Sequence, residues 1–362
     1  MKILVMCQDY PSDKNKYAMS YVHTRNINYQ FYGHEVYVLS FSAERSYSYQ
    51  GVKVFSEKDL PKKEFSEAEV VLSHAPNLKN HVRLLLQIKN QQVVFFIHGH
   101  EVLKKYKDYP QEYPWKRSNK LKEFLHRAYD EIKISSLKYL FKIIGLRNDV
   151  KFVFVSKWMK QQFAKNVDFK FENKYISTII PNASHNSFLT KSHRKIENCL
   201  GDFITIRPLD DSKYGVDLVV NFALANPCYQ IHLYGKGNYF KHNEKPRNIV
   251  WHDCFIEQSE IPGLLDKYKA ALMPTRYDSQ GVMMCEMACY GIPLVTTDME
   301  ITKEMLLGFD NVYLLKESDF SKKFNIKVEE MIEEKRSTAK LRFDAKTLIG
   351  QEIQFFTDGQ VN

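Results

Sequence analysis

The sequence has no run of about 20 apolar residues, the length a bilayer-spanning helix needs, which argues against a transmembrane protein. Its opening, Met1-Lys2-Ile3-Leu4-Val5-Met6, is too short for the apolar core of a secretory signal. It runs at once into Gln8-Asp9 and is expected to be the first strand of a domain. Cysteine is sparse and scattered: Cys7, Cys199, Cys228, Cys254, Cys285 and Cys289 form no Cys-x-x-Cys pair. That pattern implies a reduced, cytoplasmic protein with buried thiols rather than a disulfide framework. No Gly-x-Gly-x-x-Gly follows the first strand, which disfavours a dehydrogenase. No internal repeat and no low-complexity segment is present. His100-Glu101 suggests a metal, yet no His-Glu-x-x-His helix and no third ligand accompany it.

What is present points to a two-domain α/β chain. Its 362 residues suit two domains, and 44% hydrophobic content supports real cores. The formal charge of +9 favours acidic partners: nucleic acid, anionic lipid or phosphorylated substrates. Short apolar runs alternate with helical patterns throughout. Strands are expected at Lys2–Cys7, Glu35–Ser40, Val70–Leu72, Val93–Ile97, Lys151–Ser156 and Ile176–Ile180. A helix bearing Tyr17, Tyr21, Ile27 and Phe31 on one face lies between the first two. After Pro181-Asn182-Ala183 the chain turns polar, which marks a domain boundary near residue 185. Beyond it, strands are expected at 203–206, 230–234, 249–252, 270–273, 294–297 and 312–315, with helices at Glu260–Tyr268, Lys322–Glu333 and Phe343–Phe356.

One stretch organises the second half. Ala270–Met273 reads as a buried strand and Asp278-Ser279-Gln280-Gly281 as a polar loop in which Ser279 or Gln280 caps the next helix. Val282–Tyr290 reads as that helix, stopped by Gly291 and Pro293. Ligands of open α/β sheets sit at such a strand's carboxyl end, and free N–H groups at the helix start favour an anion. Asp278, beside such a site, suits sugar hydroxyls. Taken alone, Asp278 and Glu286 also read as a helix-capping acid and a solvated helix acid.

With their seven-residue separation and the Gly291-Ile292-Pro293-Leu294-Val295 tail, these acids resemble the signature of family 4 glycosyltransferases, which have the GT-B fold. The usual first acid there is Glu, so Asp278 is a departure. The Asp-Ser-Gln-Gly form looks like a variant found among surface-polysaccharide members. The opening strand, loop, helix and Gly33-His34-Glu35-Val36 strand resemble the family's N-terminal half, without its Gly-rich first loop. The resemblance implies two Rossmann-like domains across a cleft: residues 1–185 on the acceptor side, with 343–362 crossing back onto it, and 186–342 on the nucleotide-sugar side. It implies that Arg207 and Lys213, six residues apart, grip the donor diphosphate, although Tyr214 interrupts the family's Lys-Gly pair. Taken alone, these two cations read as a surface ion-pair set. Glu286 would bind the ribose and Asp278 the donor sugar. Main-chain N–H groups at Ser279, Gln280, Gly281, Val282 and Met283 would hold sugar and phosphate. His98, after the strand ending at Ile97, would orient the sugar on closure.

The implied reaction is sugar transfer from a nucleotide diphosphate sugar to an acceptor hydroxyl, with anomeric configuration retained and no cofactor. Asp-x-Asp, the metal–diphosphate motif of the other common transferase fold, is absent, so metal independence is expected. A nucleotide-sugar 2-epimerase and a non-catalytic sugar- or polyanion-binding module on a decayed transferase fold remain as rivals. The basic, aromatic stretch Lys104–Arg147 reads either as a helix lying on an anionic membrane or as a solvated face over an ordinary core. Nucleic acid is disfavoured because no recognition motif accompanies it. The expected acceptor is a glycan or lipid-linked glycan, handled in the cytoplasm or on the inner membrane face.

Overall fold

The computed structural model describes every residue except 14, 16, 17, 172–174, 195, 332–337 and 359–362. The chain forms two compact units. Met1–Asp108, Phe124–Ala183 and the stretch from Ala345 onward make one; Tyr109–Glu123 and Ser184–Asp344 make the other. The longer helices are α1 (Ser20–Phe31), α2 (Lys120–Gly145), α3 (Lys157–Val167), α4 (Val216–Ala225), α5 (Val282–Tyr290) and α6 (Ala345–Thr357).

The first unit holds eight strands: β1 (Lys2–Cys7), β2 (Glu35–Ser40), β3 (Tyr47–Tyr49), β4 (Val52–Phe55), β5 (Val70–His74), β6 (Gln92–Ile97), β7 (Asp149–Phe154) and β8 (Ile176–Ile179). Their order is β3-β4-β2-β1-β5-β6-β7-β8, parallel except for β3. The β3–β4 hairpin was not legible as strands. It turns on Gln50 and Gly51, both at positive φ (46° and 84°), as a tight two-residue hairpin requires. Strands β5 and β6 are buried along their whole length, as expected where helices cover both faces of a parallel sheet. Phe152 of β7 packs among Phe95, Phe141, Phe163 and Phe169, with ring centroids 5.2–5.8 Å away. Each such buried ring is worth about 1.5–3 kcal/mol.

Helix α1 forms where expected but turns a different face inward. Ile27 and Phe31 are 38% and 67% exposed, and the buried residues are Val22, His23, Arg25, Asn26 and Tyr29. Tyr17 lies outside the described residues. The reason is a polar partner on α6. Arg25 Nε donates to Glu352 Oε1 at 2.8 Å, Arg25 Nη1 donates to Asn182 Oδ1 at 2.7 Å, and the Tyr29 hydroxyl donates to Glu352 Oε2. A buried cation satisfied in this way outweighs an apolar stripe in setting the helix rotation. Lys151 of β7 closes the far end of α6, donating to the carbonyls of Phe355 and Phe356 at 2.8 and 3.1 Å.

The second unit is a six-stranded parallel sheet: β9 (Gly201–Ile206), β10 (Ile231–Tyr234), β11 (Ile249–His252), β12 (Tyr268–Met273), β13 (Leu294–Thr297) and β14 (Val312–Leu315), ordered β11-β10-β9-β12-β13-β14. The helix expected over Lys322–Glu333 does not form as far as Met331; residues 332 and 333 lie outside the described part. In its place is one short 3-10 turn, Val328–Glu330, preceded by another at Glu317–Ser321. Phe320, Phe324, Val328 and Met331 enter the unit's core at a spacing that mimics a helical period. The main-chain N–H of Phe324 is taken by Asn226 Oδ1 at 2.7 Å, a side-chain acceptor that replaces a helical carbonyl.

Candidate donor site of the second unit

In the second sheet, β9 leads on to β10 and β11 on one side, while its neighbour β12 leads to β13 and β14 on the other. Loops leaving such a pair diverge and open a crevice at the strands' carboxyl ends, where doubly wound sheets take ligands. Both expected donor clusters start here. Arg207 follows β9 directly, and Pro274–Gly281 follows β12.

Arg207 is nearly buried and binds the two loops together. Its Nη1 donates to the carbonyls of Tyr214 and Pro274, and its Nε donates to Thr205 Oγ1 at 3.2 Å. Burial pulls its pKa down to about 10, with Tyr214, Tyr113 and Asp278 near enough to oppose that shift. The guanidinium stays charged at neutral pH. What it offers an anion is mainly this fixed charge, since many of its donors already serve the protein's carbonyls. Lys213 lies on the 3-10 turn Ser212–Tyr214, half-buried, with Nζ 4.8 Å from the Tyr214 ring centre and 5.9 Å from that of Tyr109. Its carbonyl accepts from the Arg276 N–H at 2.8 Å and the Thr275 hydroxyl at 3.1 Å. Arg276 in turn grips Asp217 with two bonds of 2.7 and 2.6 Å, fixing the turn against the start of α4.

Asp278 Oδ1 accepts from the Gln280 N–H at 3.2 Å, a local turn that shapes the loop. Neither Ser279 nor Gln280 caps α5. The N-cap is Gly281 at φ 72°, and no side chain caps the helix. A left-handed N-cap favours glycine. Here a Cβ would also stand 3.0 Å from Met284 Cε. Val282 and Met283, half-buried, form the helix's first residues.

Glu286, just over one turn into α5, is fully buried. Its Oε1 accepts from the His185 main-chain N–H at 2.8 Å and from Gln258 Nε2 at 2.7 Å. Its Oε2 is buried with no hydrogen-bond partner among the described residues. Burial pushes the carboxyl up to about 7, against the pull of those two donors. His185 and Gln258 were not singled out from sequence. One is a main-chain donor just past Pro181-Asn182-Ala183, the other sits in the loop after β11, and neither position carries a residue-type pattern.

The segment Tyr109–Glu123 was also unexpected in this unit. The Tyr109 ring lies against Tyr277 with centroids 4.7 Å apart. The Tyr113 hydroxyl donates to Asp217 Oδ1 at 2.7 Å, and Trp115 stacks on His242 at 4.8 Å. The sequence showed these aromatics only as part of a basic stretch.

His98 belongs to the first unit, at the end of β6. Its Nε2 is 3.0 Å from His74 Nδ1, so one ring donates to the other. Glu101 accepts from the main-chain N–H of His98 and, at 2.9 Å, from that of Gly99. Burial pushes both histidines well below the usual range, and both are neutral at physiological pH. Among the described residues no group of three or more His, Cys, Asp or Glu is arranged to hold a metal ion.

No family model matches the chain, and no curated protein matches it by sequence. Solved structures do. A sucrose-phosphate synthase from Thermosynechococcus elongatus aligns at TM-score 0.68 and 10% identity over 98% of each chain. Anabaena HepE in complex with UDP and glucose aligns at TM-score 0.58 and 13% identity, over 99% of this chain and 97% of that one. A UDP-forming trehalose-phosphate synthase from Burkholderia xenovorans aligns at TM-score 0.61 and 10% identity over the whole of both. The chain has the GT-B fold. At such identities the likeness establishes architecture alone, and the roles of residues in this GT-B chain rest on its own geometry. No helix among the described residues is long and apolar enough to cross a membrane.

Proposed function

We propose that the chain is a glycosyltransferase moving a sugar from a nucleotide diphosphate sugar to an acceptor hydroxyl. The observation that carries this reading is Glu286: a fully buried carboxyl with one oxygen unpartnered, on the helix that starts at the switch point of the second sheet. An unsatisfied buried oxygen costs stability unless a ligand supplies donors, and ribose hydroxyls are such donors. The fixed charges of Arg207 and Lys213 flank the same loops. They would stabilise the diphosphate as the glycosidic bond breaks. Asp278 would accept from the sugar's hydroxyls, and the main chain from Ser279 to Met283 would hold sugar and phosphate at the uncapped helix start. His98, neutral, would orient the sugar as donor or acceptor of a hydrogen bond.

By its resemblance to family 4 enzymes the transfer retains configuration and needs no metal, with the leaving phosphate taking the acceptor proton. The acceptor is then a glycan or lipid-linked glycan of surface polysaccharide assembly. The decisive experiment is a thermal-shift series with UDP-, GDP- and dTDP-sugars in the presence and absence of EDTA. A donor at a hundred times its Kd stabilises by about 2.7 kcal/mol. Lys213→Ala should weaken that binding at least tenfold. No shift with any nucleotide sugar would sink the reading, and epimerised donor without acceptor would replace it with isomerase chemistry.

A further inference from the structure

The side of α2 turned away from the core is apolar. Asp130, Ile134, Leu137, Phe141 and Ile144 form the buried face. At 100° per residue, Leu125, Ile132, Tyr139 and Ile143 lie on the opposite side. These four are between 43% and 64% exposed, so the stripe is uncovered along about five turns within the first unit. Single exposed apolar residues are ordinary, but a row of them along one side of a helix marks a contact surface. Its borders are basic. Six cations on α2 stand against three acids. Two of those acids are already answered: Glu131 by Lys104, and Asp130 by Lys133 at 2.9 Å. Lys138 pairs with Asp168 at 2.9 Å, while Lys142 is exposed along the stripe's edge.

We infer that this face of α2 docks on an anionic lipid surface. The borders decide between occupants. A second copy of the helix laid on the stripe would bring like charges together, which is unfavourable. An anionic bilayer meets the same borders with opposite charge, while the apolar side chains enter the headgroup–acyl boundary. The inference is independent of the transfer reading, because lipid binding is measured without donor or acceptor.

The test is flotation of the full chain with vesicles of phosphatidylcholine alone or mixed with phosphatidylglycerol. Binding is expected to the mixed vesicles and to fall as salt rises. The triple variant Leu125→Ser/Ile132→Ser/Tyr139→Ser, altered only at exposed positions, should bind the mixed vesicles at least tenfold less. Lys142→Glu should bind them several-fold less while leaving any binding to neutral vesicles unchanged. Circular dichroism and thermal melting without ligand check that both variants fold. The inference is overturned if the natural chain ignores anionic vesicles or if the triple variant binds as well as it does. It is equally overturned if sedimentation shows a dimer that the triple variant abolishes, because the stripe would then be a protein interface.

Discussion

Glu286 is a fully buried carboxyl, and its burial has a measurable cost. The unfolded carboxyl titrates near 4.5 and the folded one near 7, both set against the same helix position. Between those values the folded chain holds a proton that the unfolded chain has released. Stability from this group is therefore complete below pH 4.5 and is lost as pH rises through about 7, by about 3 kcal/mol at most. Glu286→Gln keeps an oxygen for His185 and Gln258 and cannot ionise. It should raise the melting temperature over natural protein at pH 8, show little difference at pH 5, and bind nucleotide sugar more weakly at both. A melting series at the two pH values checks this; a variant less stable at pH 8 would mean that Glu286 is held ionised by a nearby positive charge. The pair Asp278 and Glu286 was legible because its spacing and following glycine and proline are covalent facts. His185 and Gln258 were not, because a main-chain N–H has no residue signature and Gln258 reaches Glu286 only through folding.

Among the elements, strands buried on both faces announced themselves, since nothing polar interrupts Val93–Ile97 or Ala270–Met273. Rotations of helices did not. The inner face of α1 is set by Glu352, 327 positions from Arg25, and no local pattern carries that information. Nor did the sequence separate the 320–331 segment from a helix, because its core contacts follow the same period. The joint between β9 and β10 depends on glycine at one point. Gly235 sits at φ 149°, and a Cβ there would stand 1.9 Å from the carbonyl oxygen of Arg207. Gly235→Ala should cost at least ~2 kcal/mol and displace Arg207, so donor affinity falls with stability. Gly263→Ala, where a Cβ meets nothing within 4 Å, should leave both unchanged. Denaturant titration of the two variants in parallel separates a site-specific clash from a general effect of glycine replacement.

At the level of the molecule, the two units have separate cores, and stability changes in one should register in that unit's transition. Arg25→Ala strands the Glu352 carboxylate in the first unit, fully buried. Losing one partner of a buried pair costs about 3–5 kcal/mol. The expected outcome is an early transition for the first unit, with the donor-stabilised transition of the second unmoved; calorimetry with and without nucleotide sugar reads both. A single transition that falls as a whole would mean that the units unfold together.

Helix α6 supplies the first unit with Glu352 and with the carbonyls that Lys151 closes, yet it follows the entire second unit along the polypeptide. During translation the earliest-made sheet therefore emerges with Arg25 lacking Glu352 and Lys151 lacking the α6 carbonyls, while residues 184–344, with Tyr109–Glu123 already made, complete the second unit first. A nascent chain arrested before Ala345 would display a finished rear half behind an unfinished front. Quality control in the cell would recognise such a product by its front half.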